Sequence, residues 1–355
     1  MKIFVDPRSD YAYSPFYVYG LIQFAGNDNV KYSIREFKGI SNPSSNLRFI
    51  IQKGEIRKKY SIQTNDSYQI NDSDYAWCDI YGCVNTNFTH YPRERFCKLV
   101  SLAPSFAIRI ESSALAVIVK AWWRMIPILP YVLSGKEWNK DKQIMERHPL
   151  RLIKHYFSRQ YKTWRDRLPI SVYSDNVDTV YNYVFFLSTL WYNNEWNNND
   201  QGVNLRRAYF IRACKSINIC RFEGGLLGDK YSSNQLFEDV VTFQRVSFPE
   251  WIEKTKQSSL VFNTPAFWDC HGWKLGEYLA LGKCIISTPL SNDLPHPLEH
   301  GVNIHYVDAS ESSMKNAIEY ILSHPEYRHK LERGAREYWE KYGDPRASLS
   351  LLGIR

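Results

Sequence analysis

The sequence predicts an α/β protein of two domains, each built on a parallel sheet. The clearest observation is the run from Val261 to Ile286, which alternates an apolar strand, a polar loop, a helix and a second apolar strand. A strand that returns through a helix to another strand forms a parallel pair. A length of 355 residues suffices for two domains. The first half opens in a similar way, because Lys2–Val5 is an apolar strand followed by a polar loop and a helix start at Pro15.

Composition and charge indicate which class of protein this is. Hydrophobic residues make up 44% of the chain and charged residues 23%, which is typical of a globular protein. The seven cysteines follow no paired or metal-like spacing, and no signal peptide is visible before the first strand, so we expect reduced thiols and a cytoplasmic protein. The net charge of +8 is uneven, since residues 1–165 hold 25 Lys and Arg against 14 Asp and Glu.

The basic first half suggests acidic partners. An anionic membrane surface, an acidic lipid-linked acceptor and nucleic acid all match this charge. The chain carries no nucleic-acid-binding motif, so nucleic acid ranks last and is not predicted as a partner. Peripheral contact with the inner face of the cell membrane through this half is the prediction that remains.

The first domain is predicted to consist of short strands and loops up to a boundary at Leu168–Ile170. Asp6, Arg8 and Asp10 follow the first strand and are either acceptor-side residues or an ordinary capped loop. The remaining predictions are strand pieces at Lys31–Phe37 and Arg48–Ile51, a solvated helix face at Lys53–Lys59, a strand at Ile80–Val84, and a late strand and loop at Lys98–Ile110. Asp72 and Asp74 match a metal-binding tripeptide, but their polar loop favours a turn cluster, and no metal site is predicted.

The segment Ala114–Leu133 is about as long as a membrane-crossing helix. Lys120, Arg124 and two prolines interrupt it, so a spanning helix is not expected. The Trp122–Arg124 triplet beside an apolar run suits a segment that lies at a membrane interface or docks an acceptor. A buried helix of the first domain explains the same pattern equally well.

The second domain is predicted to alternate strands and helices. The predicted strands are Val184–Leu190, Ile217–Phe222, and a strand and turn at Val240–Ser247, and the predicted helices are Val203–Lys215, Glu311–Leu322 and His324 to about Tyr342. Gly224 and Gly225 follow the second of these strands and would permit close approach of the backbone to a ligand. Within the central run, Gly272 stands at a helix start, where main-chain N–H groups and the helix dipole favour an anion such as phosphate. Glu277 is interpreted as a first-turn acid that stays ionised, serving either as a ligand for ribose hydroxyls or as an ordinary helix acid.

The central run also resembles a known family. Asp269-Cys270-His271-Gly272 followed by Glu277 resembles the E-G-F-G-x-x-x-x-E signature of retaining glycosyltransferases with the GT-B fold, of the group 1 or family 4 type. Asp269 and Glu277 keep the spacing of the two family acids, with Asp in place of the first Glu. The stretches Glu277–Ile286 and Glu299–Val307 are similar to later parts of the family pattern. The resemblance covers residues 180–340.

This resemblance implies two Rossmann-like domains that face each other across a cleft. Residues 1–168 would bind the acceptor, residues 169–340 the nucleotide sugar, and residues 341–355 would pack back on the first domain. The implied reaction moves a sugar from the nucleotide to a hydroxyl of a saccharide or lipid-linked saccharide in surface polysaccharide or lipopolysaccharide synthesis. The family implies retention of configuration, and neither a cofactor nor an obligatory metal.

The resemblance also implies residue roles. Arg207 and Arg212 would hold the donor diphosphate, with Arg206 as an alternative to Arg207, and Gly272 and Lys274 would contact the phosphates. The main chain of Arg245 and Val246 would meet the nucleobase, and Glu277 the ribose. Asp269 would hold the donor sugar, and His271, which replaces the family's Phe, would add a hydrogen-bond donor beside it.

Two rival functions remain open at the level of sequence. A sugar-nucleotide 2-epimerase shares this fold and needs no acceptor. A catalytically silent module of the same fold would bind a polysaccharide or a membrane and scaffold other enzymes, and the replacement of the family's first Glu by Asp269 keeps this reading open.

Overall fold

The computed structural model describes residues 1–9, 14–37, 39–40, 46–133, 149–174, 179–191, 199–228 and 235–355. The chain divides into two compact units. Unit 1 comprises Met1–Ile170 together with Asp344–Arg355, and unit 2 comprises Ser171–Gly343. The predicted acceptor residue Asp10 lies outside the described residues.

Unit 1 contains a six-stranded mixed sheet in the order β2-β1-β3-β4-β5-β6. The strands are β1 (Lys2–Val5), β2 (Val30–Tyr32), β3 (Leu47–Lys53), β4 (Ile56–Gln63), β5 (Ile80–Cys83) and β6 (Leu99–Ser101). Strand β1 is parallel to β2, and β4, β5 and β6 are mutually parallel. Strand β3 runs antiparallel to both β1 and β4, so the sheet of this unit is mixed and not all-parallel as predicted.

The difference between the predicted parallel sheet and the observed mixed sheet arises at the basic run Lys53–Lys59. This run was predicted as a helix face, and this prediction is wrong, because β3 and β4 form an antiparallel hairpin with Lys53 opposite Ile56. Gly54 turns the chain at φ +60°. The first half of β4 is exposed, so the basic side chains are solvated as expected, but they stand on a strand.

The helices of unit 1 flank this sheet. They are α1 (Pro15–Ala25), α2 (Asp72–Trp77), α3 (Ala114–Met125), α4 (Leu129–Leu133) and α5 (Pro149–Asp166), followed in the C-terminal segment by α11 (Pro345–Leu351). Helix α1 starts at Pro15 as predicted, and its Gly20 lets α11 approach closely, since a Cβ there would lie 2.7 Å from the Pro345 carbonyl oxygen. Helices α3 and α5 are joined by the buried Arg124, which donates to Gln160 at 2.9 Å and to Glu111 at 2.8 Å.

The tripeptide Asp72–Asp74 belongs to the start of α2. The side chain of Asn71 caps this helix by accepting from the Asp74 N–H at 3.1 Å. Asp74 is buried and bound by the Arg48 guanidinium at 2.7 Å. The second carboxylate of the tripeptide is therefore committed to an internal ion pair.

Unit 2 contains two three-stranded parallel sheets, in the orders β9-β8-β7 and β10-β11-β12. The strands are β7 (Tyr183–Thr189), β8 (Arg221–Leu227), β9 (Val241–Thr242), β10 (Val261–Asn263), β11 (Ile285–Ser287) and β12 (His305–Tyr306). The residues before β10 lie against β7, because the Ser259 N–H donates to Tyr183 O at 2.7 Å and Ser258 Oγ accepts from the Phe185 N–H at 2.9 Å. The strands β7, β8 and β9 are thus added outward in one direction. The chain then returns to the other side of β7, and β10, β11 and β12 are added in the opposite direction.

The helices of unit 2 connect these strands. They are α6 (Asn199–Ser216), α7 (Phe248–Gln257), α8 (Trp273–Ala280), α9 (Glu311–Ser323) and α10 (Pro325–Tyr338), with one turn of π-helix at Trp339–Gly343. Short 3-10 turns occur at Asn27–Asn29, Arg35–Phe37, Ile126–Ile128, Ile170–Tyr173, Gln235–Phe237 and Phe267–Asp269. The predicted strand-helix-strand run is confirmed, since β10 and β11 pair in parallel on either side of α8. The α/β class is confirmed, with parallel sheets in unit 2.

Two strands of unit 2 differ from their predictions. Strand β8 continues through Gly224 and Gly225, which were expected to follow the strand and face a ligand. Gly224 has φ +122°, and a Cβ there would lie 2.0 Å from the Phe186 carbonyl oxygen, so this glycine serves the close approach of β8 to β7. Of the predicted strand at Val240–Ser247, only Val241–Thr242 pairs with a neighbour.

Among the helices in the described parts of the chain, none is both long and apolar enough to cross a bilayer. This agrees with the expectation for Ala114–Leu133, which forms α3, a 3-10 turn and the short α4.

Candidate functional site

The candidate site lies where the strand order of unit 2 reverses, between β7 and β10. In open parallel sheets, loops leave the carboxyl ends of neighbouring strands in opposite directions at such a point and form a crevice for ligands. The loop after β7 leads to α6, and the loop after β10 leads to α8. Both helices therefore direct their first turns toward this edge of the sheet.

Helix α6 supplies two guanidinium groups to this edge. Arg206 Nε donates to Thr264 Oγ1 at 2.8 Å, just beyond the end of β10. Arg207 Nη1 donates to the Thr189 carbonyl oxygen at 3.0 Å, at the end of β7, and its side chain is buried. Adjacent residues of one helix thus reach the ends of two neighbouring strands.

Helix α8 supplies a third cation. Lys274 Nζ donates to the Leu187 carbonyl oxygen at 2.6 Å. The ammonium group lies 4.8 Å from the ring centre of Phe186 and 5.6 Å from that of Trp251, which are cation–π distances. Lys274 is therefore held at the end of β7, on the same strand end as Arg207.

We name the three cations the Arg206–Arg207–Lys274 cluster, and burial disfavours the charged form of each of them. Burial and, to a smaller extent, the positive charge of Arg207 lower the pKa of Lys274 to about 7, against the opposing effect of Glu277. Burial also lowers the pKa of Arg207 to about 10, with Arg206 acting in the same direction. The pKa of Arg206 is lowered by burial, an effect that the nearby Asp269 carboxylate partly offsets. An anion at this point would favour all three charged forms.

The loop that precedes α8 is strained. Trp268 and Asp269 have φ values of +51° and +57°, a left-handed conformation that is uncommon for residues other than glycine. The Asp269 main chain is held in place, because Asn292 Nδ2 donates to its carbonyl oxygen at 3.1 Å. Its side chain is exposed next to Arg206. Strain of this kind often occurs at functional loops, and it gives Asp269 a fixed position beside the cluster.

His271 and Gly272 connect this loop to α8. His271 is buried beside Asn292 and Asp293, and burial lowers its pKa to about 4, so its imidazole is neutral at neutral pH. Gly272 is the N-cap of α8 and provides no side-chain cap for the first N–H groups of the helix.

Glu277 lies deeper in α8 than predicted. The helix begins at Trp273, so Glu277 is its fifth residue and belongs to the second turn, where the helix dipole gives little stabilisation. The side chain is buried, and the Tyr173 hydroxyl donates to its Oε1 at 3.5 Å. It stands one turn after Lys274, whose charge it opposes.

Arg212 does not join the cluster. Its Nε and Nη2 both bind the Asp239 carboxylate at 2.7 Å, and Nη2 also donates to Leu236 O. Five residues along an α-helix correspond to a rotation of about 140° and a rise of about 7.5 Å. Arg212 therefore points away from the strand ends that Arg207 reaches.

Arg245 and Val246 follow β9, two strands away from β7. Arg245 is exposed and Val246 is half-buried in an irregular segment. This segment lies at the carboxyl edge of the sheet, the same edge as the cluster. Their contact with a nucleobase stays a prediction.

Polar residues at the carboxyl ends of β10 and β11 were missed by the sequence analysis. Asn263 Nδ2 donates to Ser287 Oγ at 2.9 Å, and the hydroxyl oxygens of Thr264 and Thr288 lie 2.9 Å apart. Through Thr264 this pair of strand ends connects to Arg206. The signal was present, because each of the two segments, Asn-Thr and Ser-Thr, ends an apolar strand of the predicted parallel pair.

Within the described ranges, no group of three or more His, Cys, Asp and Glu side chains is arranged to hold a metal ion. The described side chains at the cluster are suited to an anion instead.

Comparisons with known proteins give structural similarities only. No protein-family model matches the chain, and no curated protein matches it. The structure is similar to that of TarM, with 12% identity and a TM-score of 0.35 over 51% of this chain, and the chain spans only 36% of TarM. It is also similar to Anabaena Alr3699/HepE in complex with UDP-glucose, with 12% identity and a TM-score of 0.36 over 82% of this chain and 96% of that one.

A third similarity is to an α,α-trehalose 6-phosphate synthase from Burkholderia multivorans. It has 10% identity and a TM-score of 0.38 over 96% of this chain and 94% of the synthase. At these scores and identities the similarities do not assign the chain to a family.

Proposed function

We propose that unit 2 binds the diphosphate of a nucleotide sugar at the Arg206–Arg207–Lys274 cluster and that the protein transfers the sugar to an acceptor hydroxyl. The observation that carries this proposal is the meeting of three cations at the ends of β7 and β10, on neutral oxygen partners. A diphosphate supplies the negative charge that these partners lack. Guanidinium forks suit phosphate oxygens in a bidentate manner, and the lysine adds a point charge.

The N-terminus of α8 supports the same ligand. Its first N–H groups follow Gly272, which offers no side chain in competition with a phosphate oxygen. Glu277 is assigned to the ribose, because a carboxylate can accept hydrogen bonds from vicinal hydroxyls and Glu277 lies one turn after Lys274 on α8. Asp269 is assigned to hydroxyls of the donor sugar from its fixed, exposed position beside Arg206.

The reaction follows from this placement. The bond between the anomeric carbon and the diphosphate oxygen breaks, and a bond to the acceptor oxygen forms. The acceptor proton passes to the departing diphosphate, and the cluster stabilises the charge that develops there. His271 contributes at most a neutral hydrogen bond. The similarity of the Asp269–Glu277 motif to retaining glycosyltransferases is the support for retention of configuration.

The acceptor in this proposal is a saccharide or a lipid-linked saccharide used in surface polysaccharide or lipopolysaccharide synthesis. Its support is the excess of Lys and Arg over residues 1–165, which favours an acidic partner.

Calorimetry with UDP, GDP, CDP, ADP and dTDP tests the donor site. We expect one of these nucleotides to bind the wild-type protein, and Arg206→Gln to weaken its binding about tenfold or more. Arg212→Gln is the matched control on the same helix, and we expect its affinity to stay within about twofold of wild type, because Arg212 is bound to Asp239. If no nucleotide binds, the proposal fails and a scaffolding role takes its place.

Turnover then separates transfer from epimerisation. Sugar nucleotides of the base that binds are incubated with and without saccharide acceptors, and the products are identified by NMR. We expect acceptor-dependent release of the nucleoside diphosphate and a product with the anomeric configuration of the donor. Conversion of the sugar nucleotide to its 2-epimer without acceptor would identify an epimerase instead.

A further inference from the structure

Helix α3 of unit 1 is apolar on two sides. One side is buried and includes Val117, Ala121 and Met125. On the other side, exposed apolar residues recur at the helical spacing of three and four residues, which places them on one face. We name it the exposed stripe; its residues are Leu115, Ile118, Val119, Trp122 and Trp123 of α3, and Ile126, which directly follows the helix.

The exposed stripe is a continuous apolar surface. Leu115 is 71% exposed, Trp123 68% and Ile126 54%. Single exposed apolar residues are common, but six on one helix face form a patch of the kind that marks an interaction site.

A groove between α3 and α5 extends this surface. The Trp122 ring lies 4.8 Å from the ring of Phe157 on α5. The groove has a volume of about 400 Å³ and is lined by Val117, Ile118, Ala121, Lys154, Phe157, Ser158 and Tyr161. Its lining is apolar except at the Lys154, Ser158 and Tyr161 positions, so it has room for hydrocarbon beside a positive charge.

The charge around the stripe is predominantly positive. The described residues 112–133 and 149–166 carry seven Lys and Arg side chains against one acid, Asp166, which pairs with Arg165 at 2.6 Å. On α5 the exposed basic residues include Arg151, Lys154, Arg159 and Lys162. Arg124 is paired internally with Glu111, so the net positive charge comes from the outer residues.

We infer that the exposed stripe and the basic side of α5 dock on the surface of an anionic phospholipid bilayer. Tryptophan side chains prefer the boundary between headgroups and acyl chains, and an in-plane helix inserts its apolar face there. Lysine and arginine beside such a face are attracted to anionic headgroups. A symmetric contact between two copies of this surface would place basic α5 helices close together, which disfavours a second copy as the occupant.

This docking surface is independent of the proposed sugar transfer. It lies entirely in unit 1, and its residues take no part in the candidate donor site of unit 2. Nucleotide binding and turnover of a water-soluble acceptor are expected to continue when docking is lost.

Sedimentation of the full chain with vesicles tests the inference. One set of vesicles is phosphatidylcholine alone, and the other contains about one third phosphatidylglycerol. We expect the protein to sediment with the anionic vesicles only and to be released by high salt. Leu115→Ser with Trp123→Ser, and separately Lys154→Gln with Lys162→Gln, are each expected to lower the partition coefficient about tenfold.

Matched changes in unit 2 serve as controls. Ile219 is 52% exposed and Lys330 is exposed, so Ile219→Ser and Lys330→Gln remove similar groups elsewhere and are expected to leave partitioning unchanged. Circular dichroism and thermal unfolding verify that the stripe variants remain folded, as expected for exposed positions. Failure of the wild-type protein to bind anionic vesicles, or equal binding by the stripe variants, overturns the inference. A wild-type dimer that Trp123→Ser dissociates, in a protein that ignores vesicles, would identify a second copy as the occupant.

Discussion

Arg207 and Arg212, five residues apart on α6, bind different parts of unit 2. Arg207 Nη1 reaches the carbonyl oxygen of Thr189 at the end of β7, at 3.0 Å. Arg212 forms a two-pronged ion pair with Asp239, at 2.7 Å for both contacts. The sequence predicted that Arg207 and Arg212 bind a diphosphate together, but their side chains leave α6 in different directions. Arg206 and Lys274 are the cations that lie with Arg207 at the strand ends.

Lys274 makes nucleotide binding depend on pH. Its pKa is lowered to about 7, so the free protein has lost this proton at about pH 8, and a bound diphosphate restores it. Affinity is expected to fall as the pH rises above about 7, with a slope that approaches tenfold per pH unit. Calorimetry at about pH 8 in two buffers of different ionisation enthalpy measures the accompanying proton uptake.

Lys283 provides the matched control for this linkage. It is also a buried lysine, with a pKa lowered to about 8, but its Nζ donates to Lys256 O, away from the cluster. Lys274→Met is expected to abolish proton uptake, whereas Lys283→Met retains it. Uptake of the same size in Lys274→Met would show that another group carries the proton.

The same lysine is expected to cost stability. Because the pKa of Lys274 is lower in the folded protein than in the unfolded chain, the unfolded state binds its proton more tightly between about pH 7 and 10.5. The cost is thus largest below about pH 7 and fades as the pH rises. Lys274→Met is expected to raise the free energy of unfolding by about 1 to 2 kcal/mol at pH 6 and by less at pH 9, measured by urea titration. An equal or lower stability of this variant at pH 6 would contradict the conclusion that burial makes the protonated lysine unfavourable in the folded protein.

The sequence was informative where local order decides the structure. The type and order of the strand-helix-strand run were predicted correctly, because short apolar strands and Gly272 mark its elements, and the observed first strand is Val261–Asn263. The location of the candidate site near Gly272 follows from the same order, since a parallel pair places its loops at one edge of the sheet.

Other features depend on contacts that the sequence does not display. Asp239 lies 27 residues from Arg212, and no local pattern pairs them. The basic run Lys53–Lys59 gives no sign that Gly54 turns the chain into a hairpin. The role of Gly224 depends on the approach of Phe186 from another strand, so a glycine pair that suggested a ligand loop proves to be a packing device.

The buried ion pairs of unit 1 are expected to be costly to break. Arg48 is fully buried between Asp74, at 2.7 Å, and Asp6, at 3.6 Å. Asp74→Asn removes one charge and leaves the guanidinium undercompensated, which is expected to lower the free energy of unfolding by about 3 to 5 kcal/mol. The exposed pair of Arg57 and Glu36 is the comparison, and Glu36→Gln is expected to cost less than about 1 kcal/mol. Urea titration of both variants measures the difference, and similar losses would show that burial of the Arg48 pair has no energetic consequence.

Gly224 and Gly54 separate the cost of a close approach from the cost of a left-handed backbone. Both have positive φ, at +122° and +60°. A Cβ on Gly224 would lie 2.0 Å from the Phe186 carbonyl oxygen, whereas a Cβ on Gly54 meets nothing within 4 Å. Gly54→Ala is therefore expected to cost about 1 to 2 kcal/mol from backbone conformation alone.

Gly224→Ala adds a steric clash to this backbone cost. The contacting atom belongs to the backbone of β7, which is fixed by its pairing with β8 and cannot rotate away. The loss of unfolding free energy is expected to exceed that of Gly54→Ala by about 2 kcal/mol or more. Because β7 carries Leu187 and Thr189, which hold Lys274 and Arg207, any Gly224→Ala protein that still folds is also expected to bind nucleotide more weakly, and Gly54→Ala is not. Equal stability of the two variants would mean that β7 and β8 can separate without cost, and the assignment of Gly224 to strand packing would be wrong.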